Sequence, residues 1–151
     1  MVVLIDSNII LDLLIDRLPF AAEARDIFQL CSRRVVVGYL AGHTIPAVYY
    51  ILRKNFSAKQ RRNLLLDLCA NVEIIGIDKS ELVAALTDER FTDFEDGLQA
   101  ECAKRIGAEY IVTRNLADFI VSPVPAISPP DFLKIFTDDK IRVFNEGKFY
   151  E

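Results

Sequence analysis

The stretch that decides the fold is the first one, Val2-Val3-Leu4-Ile5-Asp6-Ser7-Asn8, which runs directly into an apolar segment from Ile9 to Ile15. Its four consecutive apolar residues predict a short strand that is buried on both faces, as in the middle of a parallel sheet. Asp6 stands at the carboxyl end of this strand, and Ser7 or Asn8 is available as the N-cap of the following helix. A buried strand that passes directly into a helix indicates the first half of a βαβ unit.

Strands and helices alternate along the rest of the chain as well. Further strands are predicted at 35–37, 72–75, 110–112 and 125–127, and further helices at 19–31, 45–54, 57–70, 80–86, 93–106 and 130–136. Strands separated by helices imply parallel pairing with right-handed crossovers. We therefore predict an α/β fold, a three-layer α/β/α sandwich around a twisted parallel sheet of four to five strands. Residues 1–136 would form this domain, and residues 137–151 a polar C-terminal tail.

The composition is that of one globular domain. The chain has 151 residues, of which 52% are hydrophobic, and this excludes disorder as the default state. No apolar run approaches the roughly 20 residues that cross a bilayer, and the N-terminus lacks the features of a signal peptide. We expect a cytoplasmic protein with no membrane partner. The net charge of −4 counts against a general polyanion binder.

The three cysteines, Cys31, Cys69 and Cys102, are odd in number and far apart in the sequence. A disulfide framework would need an even set, and a zinc site would need close pairs. Each cysteine has apolar or helix-forming neighbours. We therefore expect three buried free thiols.

Acidic residues fall near the carboxyl ends of two predicted strands. Asp6 ends the first strand, Asp118 closely follows the strand at 110–112, and Asp93 and Asp96 open the helix that leads into that strand. Asp93 and Asp96 are three residues apart and share a helix face, whereas Glu95 points elsewhere. Sites in parallel sheets form at this edge. Clustered carboxylates without soft ligands suit Mg²⁺ or Mn²⁺ and the hydrolysis of phosphodiesters.

Each of these acids also has a purely structural explanation. Asp6 could cap the first helix, and Asp118 could be an ordinary loop acid. The acids at 93–96 could be favoured by the helix dipole, and Thr92 with Glu95 matches a capping box. The convergence of three acids on one edge of one sheet nevertheless favours a functional site.

Three segments of the sequence together resemble the PIN domain family. They are the opening Val2–Leu14, the segment Asp93-Phe94-Glu95-Asp96-Gly97-Leu98-Gln99, and the segment Tyr110–Phe119. Their order and spacing match that family from Val2 to about Phe136. The Asp-Phe-Glu-Asp signature and the segment Tyr49-Tyr50-Ile51-Leu52-Arg53 are similar to a bacterial branch of it.

This resemblance implies a ribonuclease that depends on Mg²⁺ or Mn²⁺, similar to the VapC-type toxins of toxin–antitoxin pairs. Its partners would then be RNA and an antitoxin protein, and we expect a homodimer. The resemblance gives catalytic and metal-binding roles to Asp6, Asp96 and Asp118, and Asp93 is a further candidate ligand. It gives supporting roles to Ser7, Asn8, Thr113 and Asn115.

A basic segment is the candidate for contact with RNA. Its predicted nucleic-acid-binding residues are Arg53, Lys54, Arg61 and Arg62. These cations could neutralise the phosphates of an RNA backbone. A solvated face of two helices is the alternative.

One position departs from the family pattern. The family usually has a further acid, commonly Glu, on the helix after the second strand, and Ala47 occupies that place here. No acid occurs between Asp26 and Asp67. His43, near this gap, is either a structural polar residue or a contact to phosphate or base, and as the single histidine it makes a zinc site a poor alternative.

The missing acid leaves three hypotheses for the function. The first is a metal-dependent endoribonuclease. The second is a degenerate PIN fold that binds RNA or a protein partner without catalysis. The third is another metal-dependent phosphohydrolase on a similar sheet, because a fold alone does not define a reaction.

Overall fold

The structure is a computed structural model that describes residues 1–146, with side chains described up to residue 137. Within this range the sheet has five strands: Val2–Ile5 (β1), Val37–Ala41 (β2), Glu73–Ile75 (β3), Tyr110–Val112 (β4) and Ala126–Ile127 (β5). All neighbouring strands are parallel, and their order is β3-β2-β1-β4-β5. The first strand of the chain is therefore the central strand of the sheet, as its uninterrupted apolar run predicts.

The helices connect these strands. They are Ser7–Leu14 (α1), Ala21–Ser32 (α2), Thr44–Ile51 (α3), Ala58–Asn71 (α4), Lys79–Thr87 (α5), Phe94–Arg105 (α6) and Pro129–Glu146 (α7), with short 3-10 turns at Leu52–Lys54 and Leu116–Phe119. Ser57 caps α4 in a reciprocal capping box with Gln60. Gly107, with φ of 64°, ends α6 in the left-handed conformation that glycine adopts without strain.

Two hydrophobic cores lie on opposite faces of the sheet. Along β1, Val3 and Ile5 enter one core and Leu4 enters the other, as the period of two requires. The first core is completed mainly by α1, α2, α4 and α7, and the second by α6, which in turn packs against α5. This arrangement confirms the predicted three-layer α/β/α sandwich with a parallel sheet of four to five strands.

The prediction for the second strand was wrong in position. The run at 35–37 suggested the strand, but β2 covers Val37–Ala41, and Val35 lies exposed before it. Gly38 interrupts the apolar run and was therefore not recognised as a strand residue. It is needed because a Cβ atom there would lie 2.7 Å from Cys31 Sγ and 2.9 Å from Ile5 Cδ1.

Two further differences concern the last helix and the cysteines. The helix predicted at 130–136 is α7, Pro129–Glu146, so it continues into the predicted polar tail, of which residues 147–151 lie outside the described residues. All three cysteines are free, but Cys69 is exposed because it lies on the outer face of α4.

Within the described residues, no helix is both long enough and apolar enough to cross a membrane.

Candidate active site

The strand order creates a crevice at the carboxyl end of β1. From β1 the chain first builds β2 and β3 on one side, and later builds β4 and β5 on the other side. The topological switch point therefore lies between β1 and β4, where parallel sheets usually bind ligands. Asp6 directly follows β1, and Thr113 directly follows β4, so both residues border this crevice.

Asp6 is buried and held by hydrogen bonds from two other elements. Its side chain is only 4% exposed. Its Oδ1 atom accepts a bond of 2.8 Å from Nε2 of Gln99 on α6, and its Oδ2 atom accepts one of 2.8 Å from the hydroxyl of Thr113. Although Asp6 occupies the N-cap position of α1, its side chain makes no capping bond. The structural explanation of Asp6 as a helix cap is therefore not supported by its contacts.

Asp96, in the first turn of α6, faces the other predicted acids. Partial burial raises its pKa to about 7, and the negative charges of Asp6, Asp93, Asp118 and Glu95 raise it in the same direction. Asp93, Asp96 and Asp118 also line one cleft of about 240 Å³, which we call the carboxylate cleft. The structure therefore brings the predicted acids to one edge of the sheet, and the chain segments that carry them come from three different elements.

The acids are not already arranged as a closed ligand shell. Among the residues that the structure describes, no three acidic, histidine or cysteine side chains are close enough together to form a ready metal-binding group. Their chemistry nevertheless fits a hard cation, because all the donors are oxygen atoms. In addition, the ionised form of Asp96 is disfavoured by partial burial and by the neighbouring negative charges. A divalent cation would relieve that repulsion. Asp6, Asp96 and Asp118 would hold it, with Asp93 at the edge of the cleft.

The N-terminus of α6 is capped by one of the candidate acids. Asp93 is the N-cap residue, and its Oδ1 atom accepts a bond of 2.8 Å from the backbone N–H of Glu95. The structural alternative, a capping box between Thr92 and Glu95, is therefore not observed, because Glu95 turns toward α3 instead. Its Oε1 atom lies 3.3 Å from Nε2 of His43.

His43 and Ala47 lie beside this glutamate. Both line a second pocket together with Glu95, so the position that lacks the family's acid is close to an acid from α6. Burial lowers the pKa of His43, and the charges of Glu95 and Asp6 partly oppose this effect. His43 is therefore close enough to Asp6 to sense its charge, although neither of its ring nitrogens has a hydrogen-bond partner with good geometry among the described residues.

The predicted supporting residues differ in how they contact the site. The Thr113 hydroxyl bridges Asp6 and the backbone N–H of Asn115, from which it accepts a bond of 3.0 Å. The Ser7 hydroxyl lies 3.4 Å from Asp6 Oδ1. Asn115 contributes its backbone N–H, and the side-chain oxygen of Asn8 is buried without a hydrogen-bond partner among the described residues.

Sequence reasoning missed two contacts that organise this site. One is Gln99, which is 1% exposed and contacts Asp6. Its position three residues after Asp96, on the same helix face, was the available signal. The other is the ion pair between Arg114 and the buried Asp12, with N–O distances of 2.6 and 3.1 Å. No local pattern indicates this pair, because the two residues are 102 positions apart.

The predicted RNA-binding cations lie at the connection between α3 and α4. Arg61 stacks on the ring of Tyr49 at 4.2 Å and donates to the Tyr49 carbonyl oxygen, so it holds the end of α3. Arg53 stacks on Tyr50 and donates to its carbonyl in the same way. Lys54 and Arg62, the other two predicted residues, are exposed.

Replacing Asp96 by Asn should stabilise the metal-free protein in a pH-dependent way. A carboxyl group whose pKa rises from 3.8 to about 7 on folding lowers the free energy of unfolding as pH increases between those two values. Above pH 7 this loss stays constant. After allowance for solvent screening, we expect Asp96→Asn to raise the free energy of unfolding by about 1 to 2 kcal/mol more at pH 8 than at pH 5. Urea unfolding in EDTA measures this difference. The exposed Asp67→Asn is the control, and an equal effect of Asp96→Asn at both pH values would contradict the prediction.

Comparison with known proteins identifies the family. The family model of the PIN domain matches residues 2–117. Among solved structures, VapBC2 of Rickettsia felis bound to a DNA fragment from its promoter has a TM-score of 0.64 at 16% identity, covering 85% of this chain and 98% of that one. A toxin–antitoxin complex from Klebsiella pneumoniae has a TM-score of 0.64 at 20% identity, with 84% and 97% coverage.

A more distant structure is VapC20 of Mycobacterium tuberculosis, described as a toxin that cleaves the sarcin–ricin loop. Its TM-score is 0.57 at 13% identity, and the match covers 72% of this chain and 86% of that one. No curated protein sequence gives a significant match. At these identities the solved structures establish a shared fold. Because the family model matches well over half of the chain, the protein belongs to the PIN domain family.

Proposed function

We propose that this protein is an endoribonuclease that depends on Mg²⁺ or Mn²⁺ and hydrolyses phosphodiester bonds of RNA. The observation that carries the proposal is the carboxylate cleft lined by Asp93, Asp96 and Asp118, beside Asp6 at the carboxyl end of β1. The pKa of Asp96, raised first by burial and then by the charges of Asp6, Asp93 and Asp118, agrees with this arrangement. The arrangement lies at the switch point of a PIN-family sheet, where a ligand site is expected. Asp6, Asp96 and Asp118 are the proposed catalytic and metal-binding residues.

The residues of the chain have separable tasks in this proposal. Gln99 and Thr113 hold the two oxygens of Asp6 in a fixed orientation, so little reorganisation is needed when the site is loaded. Asp96 loses its proton when it becomes a ligand, so cation binding should strengthen as pH rises through about 7. A bound divalent cation would supply an activated water molecule and would stabilise negative charge on the phosphate.

Partners follow from the same proposal. Similar folds occur in complexes described as toxin–antitoxin pairs, and this supports an antitoxin protein as a partner and a toxin role for this chain. RNA is the proposed substrate, and the proposed assembly is a homodimer. For contact with the RNA backbone, Lys54 and Arg62 are better candidates than Arg53 and Arg61, whose guanidinium groups already bind backbone carbonyl groups.

A second candidate function is binding without catalysis. It is favoured by the absence of a ready metal-binding group among the described residues and by Ala47 in place of the usual acid. The two functions differ in their response to metal. A nuclease needs the cation, whereas a binder would contact RNA or a protein equally well in EDTA.

Millimolar Mn²⁺ should raise the melting temperature of the wild-type protein, because a ligand that binds only the folded state stabilises it. We expect an increase on the order of 5 °C at a concentration far above the dissociation constant. Asp118→Asn should reduce this increase, and the exposed Asp26→Asn should leave it unchanged. The same samples should cut RNA with Mn²⁺ and not with EDTA. Wild-type protein that neither gains stability nor cuts RNA would favour binding without catalysis.

A further inference from the structure

A second pocket adjoins the carboxylate cleft, and the proposed catalytic residues do not use it. We call it the side pocket; its volume is about 510 Å³, and it is lined by His43, Ala47, Ile77, Leu82, Phe94 and Glu95, among others. This volume lies within the roughly 300–1,000 Å³ that small-molecule sites occupy. The two cavities are neighbours because the first turn of α6 borders both, with Asp93 and Asp96 in the cleft and Phe94 and Glu95 in the side pocket.

The walls of the side pocket are mostly apolar, and one of them is aromatic. Phe94 is 42% exposed although it lies beside three acids, so its ring is open to a ligand. Leu82 is 38% exposed on the same pocket. In proteins that bind single-stranded RNA, unpaired bases stack on exposed aromatic side chains. Phe94 could serve in this way because it lies beside the proposed site of phosphodiester hydrolysis. The small side chain of Ala47 leaves this space open.

The polar end of the side pocket carries a negative charge. Glu95 has its Oε1 atom 3.3 Å from His43, and its side chain is 46% exposed. A carboxylate repels phosphate and accepts hydrogen bonds, so a nucleotide would place its base here and keep its phosphate outside. Guanine is the matching base, because its Watson–Crick edge presents two adjacent donors. Adenine and cytosine place an acceptor next to their donor, and uracil has a single donor between two carbonyl groups.

We propose that the side pocket holds an unpaired guanine next to the cleaved phosphate, stacked on Phe94 and hydrogen-bonded to Glu95. This inference rests on the proposed ribonuclease function and adds a base preference to it, namely guanine at the cut. A second copy of the chain is the competing occupant, since Val83 and Leu86 extend the apolar surface of α5. The base is favoured because an apolar interface would bury the half-exposed carboxylate of Glu95 with no partner except His43, and burying a charge in this way costs stability.

Binding of labelled RNA tests the proposal without cleavage. The probes are uridine octamers that carry one central guanosine or one central adenosine, and fluorescence anisotropy is measured with the full chain in EDTA. Wild-type protein should prefer the guanosine probe by about tenfold, the discrimination typical of a bidentate contact to a base. Glu95→Gln should remove this preference, and Phe94→Ala should weaken binding of both probes by about tenfold, as loss of one stacked base does.

Controls separate this proposal from its alternatives. Leu86→Ala removes an apolar side chain that is more exposed than Phe94 (66% against 42%) and does not line the side pocket, so it should leave RNA affinity unchanged. Phe94→Leu keeps a large apolar side chain but removes the aromatic ring, and it should show the same loss as Phe94→Ala if stacking is the cause. If sedimentation shows a dimer that both Phe94→Ala and Leu86→Ala dissociate, with RNA affinity unchanged, a second copy occupies the pocket and the proposal is overturned.

Cleavage with Mn²⁺ shows which proposal fails. Wild-type protein should cut the guanosine octamer at the guanosine, and Glu95→Gln should cut it without positional preference. Efficient cleavage that does not depend on guanosine, and that neither Glu95→Gln nor Phe94→Ala changes, would contradict the proposed guanine pocket. The proposed ribonuclease function would then still be supported. Wild-type protein that neither binds nor cuts RNA would overturn both.

Discussion

Asp6→Asn is expected to reduce metal-dependent RNA cleavage by at least roughly 100-fold, because a metal ligand contributes several kcal/mol of transition-state stabilisation. The substitution removes the charge at the buried end of β1 and keeps the shape of the side chain. The fold should survive, because Gln99 can still donate to the remaining carbonyl oxygen. The Thr113 hydroxyl can rotate to accept a bond from the new amide, since a hydroxyl both donates and accepts.

Initial rates of cleavage of a labelled RNA with Mn²⁺ measure this loss, and circular dichroism confirms that the variant is folded. The matched control is Asp16→Asn, which makes the same chemical change at a side chain that is 71% exposed and paired with Arg25. A backbone φ of 56° at that position is one that asparagine tolerates. A folded Asp6→Asn variant that cleaves RNA at the wild-type rate would show that Asp6 is not a catalytic residue.

Arg114→Ala is expected to lower the free energy of unfolding by about 3 kcal/mol, because it leaves a buried carboxylate without its main partner. Asp12 is 1% exposed and receives two hydrogen bonds from Arg114, whereas Arg17 is 3.8 Å away. The substitution also removes the stacking of Arg114 on Phe20 at 4.0 Å. Because Arg114 directly follows Thr113, the loop that supports Asp6 should become less ordered, and cleavage should decrease as well.

Urea unfolding measures the effect, and Arg25→Ala is the matched control. Arg25 and Asp16 are 2.7 Å apart, but both are largely exposed, so their separation should cost less than about 1 kcal/mol. The double variant with Asp12→Ala should be less destabilised than the sum of the two single variants, since neither charge is then left unpaired. Equal losses for Arg114→Ala and Arg25→Ala would show that burial does not strengthen the Asp12 pair.

The candidate acids could be located from the sequence because each stands at a recognisable place in a βαβ pattern. Asp6 follows an uninterrupted apolar strand, and Asp118 follows another, and parallel pairing necessarily brings such strand ends to one edge. Asp96 could be added because helical spacing places it on the face of Asp93. The orientation of Glu95 could not be derived in the same way, since its contact with His43 depends on how α3 packs beside α6.

The sequence by itself determined the fold class, the order of the elements and the residues that could form the site, because these depend on local patterns of apolar residues, caps and acids. The tertiary structure alone decided which polar groups meet. Gln99 contacts Asp6 across 93 positions, and Arg114 contacts Asp12 across 102. Two predicted RNA-binding arginines, Arg53 and Arg61, proved to donate to carbonyl groups at the end of α3. Hydrogen bonds and ion pairs act over a few ångströms between residues distant in sequence, so only the folded chain specifies them.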